Sequence, residues 1–161
     1  MRNDTNNVKQ VTEIAINYKE NIIGFDIAGP ELNYLPSLFI DEFKKLVENN
    51  VNLTIHAGEG DGVNSIQEAL DNGAKRIGHG VRIIEDIDVE TGLFGPTATH
   101  IFENNIPLEI CISSNIHTNM YSDYKDHPIK DLLELDFPVT INTDNRPVSY
   151  THLTLPTSQL V

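Results

Sequence analysis

Cysteine is almost missing from this chain: Cys111 stands alone among 161 residues. No internal disulfide can form, and a zinc site built on thiolates is excluded. Any metal then falls to His, Asp and Glu. Cationic residues are scarce too, with 11 Lys and Arg against 24 Asp and Glu for a formal charge of -13. That balance opposes approach to nucleic acid or anionic membrane and favours a small neutral or cationic partner. No apolar run approaches the roughly 18 residues that span a bilayer, and residues 1–7 lack both the charge pattern and the apolar segment of a signal peptide. A cytoplasmic protein is expected. No low-complexity run or long linker divides the chain, so it reads as one domain or one piece of a domain.

What is present is an alternation. Short apolar runs bounded by turn residues predict buried parallel strands at 22–28, 53–56, 76–79, 108–112 and 139–142. Helical spacing falls between them. Residues 38–48 place Phe39, Phe43, Leu46 and Val47 on one face; residues 65–70 open on a Ser65-x-x-Glu68 capping box and stop at Gly73; residues 97–102 and 129–135 complete the set. Ahead of the first strand, residues 11–18 carry the end of a helix with Ile14, Ala15 and Tyr18 in step. This order fits either a doubly wound sheet or a (β/α)₈ barrel, both of which place chemistry at the C-terminal strand ends. No Gly-x-Gly-x-x-Gly follows the first strand. A barrel of eight units needs about 250 residues, so on the barrel reading the chain is incomplete.

Polar residues gather where those strands end. His56 closes the second strand and is followed by Ala57-Gly58-Glu59, putting an imidazole able to bind metal beside a carboxylate able to act as a general acid. The ordinary alternative is a loop histidine and a solvated glutamate; glycines at 58, 60 and 62 favour close approach of a ligand. His79 lies between Gly78 and Gly80 at the end of the third strand, with a satisfied core histidine as its alternative. Asp144 follows the fifth strand as a carboxylate that is costly to bury without a cation or donors, or else as a helix N-cap. Together, at three successive strand ends, they predict a His/Asp metal site at one barrel mouth.

The segments Gly24-Phe-Asp-Ile-Ala-Gly-Pro-Glu31, Ile55-His-Ala-Gly-Glu59, Arg76-Ile-Gly-His-Gly80, Ser113-Ser-Asn115 and Asn142-Thr-Asp-Asn145, in this order, resemble the adenosine deaminase family, over about residues 11–149. The resemblance implies a partial TIM-type (β/α)₈ barrel, about the last five βα units of a metal-dependent hydrolase that deaminates adenosine or deoxyadenosine at purine C6. By the same resemblance His56 and Asp144 are zinc ligands, Glu59 protonates the purine ring, and His79 orients the attacking water and helps to remove its proton. Gly29 offers its backbone N–H to the purine, Asn145 donates to a ring nitrogen as a bacterial-type variant, and Asp26 and Ser113 support the ligands. A deaminase of adenine or another 6-aminopurine, and a non-catalytic purine-binding module, remain alternatives.

The family's His-x-His pair, two further zinc ligands, has no counterpart in this sequence. His100, His117, His127 and His152 are expected to be solvated histidines, His117 in a loop over 115–126. The isolated chain is therefore expected to be aggregation-prone, poor in zinc and inactive. Residues 1–148 are expected to form the deaminase portion, and residues 149–161, resembling translated sequencing-adapter DNA, a tail foreign to it.

Overall fold

The computed structural model describes residues 2–145; the expectations for His152 and for the 149–161 tail fall outside them. The first helix, α1 (Thr5–Asn17), starts where the Asp4 carboxylate accepts the Asn7 N–H at 3.0 Å, one of the donors that a helix N-terminus leaves unpaired. Its buried face is Val8, Thr12 and Ala15, at helical spacing; Ile14 and Tyr18, expected to share that face, are exposed.

Five short parallel strands form the main sheet: β1 (Phe25–Ile27), β2 (Leu53–Ala57), β3 (Arg76–His79), β6 (Leu108–Ile110) and β7 (Val139–Ile141), paired in the order β1-β2-β3-β6-β7. The connecting helices are α2 (Ile40–Glu48), α3 (Val63–Asp71), α4 (Pro96–Glu103), α5 (Ile112–His117) and α6 (Ile129–Glu134). Parallel neighbours joined through helices are the repeating unit of a (β/α)₈ barrel, and the sheet is a portion of one. A small antiparallel hairpin of β4 (Ile87–Asp88) and β5 (Leu93–Phe94) sits between β3 and α4; the alternating pattern gave no sign of it.

The strands are not uniformly apolar. Burial alternates along β1, β2 and β6: Ile27, Ile55, Ile77, Leu108 and Ile110 are buried in the core with α3's Ile66 and Ala69 and α4's Ala98 and Ile101. Because side chains alternate across a strand, the residues between them face the other way. The register places His56 beside Gly78, Gly78 beside Glu109 and Glu109 beside Thr140, a polar row across four strands.

Three local expectations change. Helix α3 begins at Val63 behind Gly62, with no side-chain cap. Ser65 lies inside it, and Glu68 instead accepts the Ser37 N–H at 3.1 Å and the Asn64 amide at 3.2 Å. Val47 of α2 is exposed. Ile112, taken as the end of a strand, begins α5, which also carries His117 at its end. Gly73 does stop α3, in the left-handed region at φ +89°, with its N–H on Leu70 O and the Ala74 N–H on Ala69 O. No described helix is long and apolar enough to cross a membrane.

Candidate active site

A cleft of about 300 Å³ opens at the C-terminal ends of the strands, lined by Asp26, Ala28, His56, Gly78, His79, Glu109, Cys111, Asn142, Asp144 and Asn145. The main chain is held in unusual conformations around it. His79 and Asp144 both have left-handed backbone, at φ +60° and +55°, a state that costs a side-chain-bearing residue energy and recurs at functional sites. Glycine is required beside them for a steric reason: a Cβ on Gly78 would run into the His56 ring. The two imidazoles therefore meet edge to face, with ring centres 5.2 Å apart.

Ion pairs and hydrogen bonds tie the cleft together. His56 Nε2 lies 3.3 Å from Asp26 Oδ2. Burial pulls the His56 imidazolium down, but the hydrogen bond and charge of Asp26, with Glu59 and Asp144, outweigh it and leave its pKa raised. His79 Nδ1 lies 3.6 Å from Glu59 Oε1, and its Nε2 lies 3.9 Å from Asp144 Oδ2. Burial, with His56 alongside, pushes His79 down to about 4, so it is neutral near pH 7. Glu59 moves the other way: burial first, then the charge of Asp144, lifts it to about 6. A carboxyl so placed holds its proton more readily than one in water.

The loop carrying Glu59 is fixed by Glu31, the last residue of the Gly24–Glu31 motif, whose local sequence assigns it no role. Its buried carboxylate accepts the backbone N–H groups of Gly58 at 2.6 Å, Glu59 at 2.9 Å, Gly60 at 2.6 Å and Asp61 at 3.1 Å. Four donors on one carboxylate leave the loop little freedom. Asp144 is held by its neighbour Ser114, whose Oγ donates to Oδ2 at 2.5 Å. Ser113, the residue expected in support, instead accepts from the Tyr124 hydroxyl at 3.3 Å; α5 starting at Ile112 turns the second serine toward the cleft. Gly29 follows the cleft residue Ala28 with φ +117°, and Asn145 lines the cleft directly.

Among the described residues, the ligand atoms of His79, Cys111 and Asp144 lie within 4.8 Å of one another and could hold a metal ion. Cys111 thus stands inside the cluster despite being the lone cysteine. Its thiol is pushed up to about 12 by burial and by Asp144, and it donates to Glu109 O at 3.3 Å, so without a metal it is a neutral S–H. His56 shares the cleft but not this cluster. His100 and His117 are exposed, as expected. His127 is not: it is 4% exposed and hydrogen-bonded to Asn115 at 3.2 Å.

The family model for adenosine deaminase matches residues 1–159. The chain is 43% identical over 158 residues to the adenosine deaminase of Mycobacterium leprae, covering 95% of this chain and 44% of that protein. It is 45% identical over 157 residues to adenosine deaminase 1 of Streptomyces coelicolor, covering 94% and 40%. It therefore spans less than half the length of these curated relatives. Among solved structures, the adenine deaminase of Arthrobacter aurescens superposes with a TM-score of 0.76 at 26% identity, covering 87% of this chain and 41% of that one. The N6-methyl-AMP deaminase of Arabidopsis thaliana gives 0.73 at 27%, covering 91% and 41%. With strand-end chemistry, parallel sheet and a family match along almost its whole length in agreement, the chain belongs to the adenosine deaminase family.

Proposed function

We propose that the full-length protein containing this chain is a cytoplasmic, zinc-dependent hydrolase that converts adenosine or deoxyadenosine and water to the 6-oxopurine nucleoside and ammonia. The observation that carries the proposal is Glu59, lifted to about 6 and set 3.6 Å from His79, which lines one cleft with His56 and Asp144. A purine stacked into that cleft would remove more water from Glu59 and favour the protonated acid further. Protonation of the ring nitrogen beside C6 makes that carbon the better electrophile. Gly29 N–H and the Asn145 amide would orient the base, while Asp26 would buttress His56 and Ser114, in the place expected for Ser113, would buttress Asp144.

The donor set suits zinc: one imidazole from His56 and one carboxylate from Asp144, facing one cleft at strand ends. Two protein ligands are fewer than the three that hold catalytic zinc, so the remainder would come from outside the described residues. When bound, zinc supplies a Lewis acid that brings the pKa of water from about 15.7 toward 7. The chain's own residues do the rest: His79 orients the attacking water, Asp144 takes the proton that the family resemblance assigned in part to His79, and Glu59 delivers a proton to the purine.

The likeness to a solved adenine deaminase makes the free base the competing substrate, and the stronger sequence identity to adenosine deaminases favours the nucleoside. The test is to purify the full-length protein, measure its zinc, and compare turnover of adenosine, deoxyadenosine and adenine. The proposal expects about one catalytic zinc per chain and faster turnover of the nucleosides. Preference for adenine would reassign the substrate, and purine binding without turnover would make the protein a binding module.

A further inference from the structure

The left-handed His79 touches more than the cleft: behind it runs a buried line of side chains that the proposed chemistry leaves unused. Asn115 Nδ2 lies 3.2 Å from His79 Nδ1, and Asn115 Oδ1 lies 3.2 Å from His127 Nε2. At the far end, His127 Nδ1 accepts the backbone N–H of Ile129 at 3.1 Å, at the first residue of α6. His79, Asn115 and His127 expose 2%, 0% and 4% of their surfaces.

The proton positions along this line follow from its end. A backbone N–H can only donate, so His127 Nδ1 must be the lone-pair nitrogen of a neutral ring. Burial holds that ring neutral, down to about 4. Its one proton is therefore on Nε2 and is donated to the Asn115 carbonyl oxygen. The Asn115 amide then has its NH₂ toward His79 and can only donate, which makes His79 Nδ1 an acceptor. The neutral His79 ring thus carries its proton on Nε2, the nitrogen facing Asp144.

We infer that His127 and Asn115 are positioning residues that fix the tautomer of His79, so that it presents an N–H donor to the reacting side of the cleft. The consequence for the reaction rests on the deaminase reading above: His79 orients the attacking water by donating to it, and Asp144 takes the proton. The assignment of the tautomer does not depend on that reading. His127 was expected to be solvated because a His-Pro pair before a helix has no chemical signature by itself. Its meaning lies in the turn at 124–127 folding back against α5, which puts Asn115 between two imidazoles.

The experiment uses the full-length, metal-loaded protein with ¹⁵N-labelled histidine. Two-bond ¹H–¹⁵N correlations distinguish the protonated ring nitrogen from the lone-pair one, with the His79 signals assigned by their loss in His79→Asn. The inference expects the proton on Nε2 in the unsubstituted protein. Asn115→Asp keeps the shape but offers only acceptors, so the proton should move to Nδ1 and kcat should fall about 100-fold, with KM and zinc content unchanged. His127→Phe removes the donor and should cost about 10-fold in kcat, while His127→Gln, which keeps an N–H for Asn115, should restore most of it. A proton on Nδ1 in the unsubstituted protein would overturn the inference, and so would an Asn115→Asp spectrum and kcat matching the original. If a substituted chain fails to fold, the unsubstituted spectrum still decides. That spectrum is read without substrate, so failure of the tautomer assignment and failure of the deaminase reading appear in different measurements.

Discussion

Ile55, Ile77, Leu108 and Ile110 bury all of their surface in the core, whereas their alternating neighbours Asp26, His56, Gly78 and Glu109 line the cleft. One set of strands thus serves two purposes at a spacing of a single residue. On the core face any well-packed aliphatic side chain of the right volume would serve. On the cleft face identity is dictated atom by atom: Gly78 exists so that the His56 ring can lie across it, and Arg76 Nε donates to Glu109 Oε1 at 2.6 Å. Stability is concentrated on one side of the sheet and chemistry on the other, and substitutions on the two faces should separate these properties.

The sharpest break is on the cleft face. In the full-length protein His56→Ala or Asp144→Ala should lose zinc and deaminase activity together, with activity falling below detection; metal analysis and an ammonia-release assay check it, and full activity in either variant would remove its ligand role. The mirror experiment is Leu108→Ala on the core face, expected to cost about 2–5 kcal/mol of stability by opening a cavity. Zinc bound per folded chain should not change, as denaturant unfolding and metal content together would establish.

Between these extremes lies Glu31, which touches neither face but fixes the Glu59 loop. Glu31→Gln turns two acceptor oxygens into one, setting an NH₂ against backbone donors. It should lower kcat by about 10-fold or more, and the loss should nearly vanish in a Glu59→Gln background if Glu31 acts through Glu59. An equal loss in both backgrounds would make Glu31 a general structural residue. A smaller, pH-dependent effect comes from His127. Burial lowers its pKa from 6.5 to about 4, so the unfolded chain takes up a proton that the folded one resists. Its contribution is complete above about pH 6.5 and is lost as the pH falls toward 4. His127→Gln should make melting temperature less steeply dependent on pH in that window; an unchanged slope would mean that His127 does not resist protonation in the fold.

Much of the sheet was legible because its signals are local. All five strands lie within the expected apolar runs, extended by one residue at Ala57, since apolar runs ending in polar residues mark strand ends in a parallel α/β fold. His56 and His79 stood out as the polar residues closing two such runs, and Asp144 as a carboxylate two residues beyond a third. What escaped depended on pairings distant in sequence. Glu31 meets residues 58–61 across about 27 to 30 positions, and nothing in its own neighbourhood announces four backbone donors. Ser114 rather than Ser113 reaches Asp144 because a helix turns through about 100° per residue, and the start of α5 at Ile112 was hidden in what read as strand. The false capping box at Ser65 failed because Glu68 found a partner in the next connection, the Ser37 N–H.

The central claim, that Glu59 supplies the proton while other cleft residues hold the metal, is tested most directly by Glu59→Gln in the full-length protein. Zinc content and the rate of adenosine deamination would be measured on the same preparation. The account predicts a rate at least about 100-fold lower, the usual scale for loss of a general acid, with zinc nearly unchanged. Substantial loss of zinc, or a rate close to that of the unsubstituted protein, would contradict it.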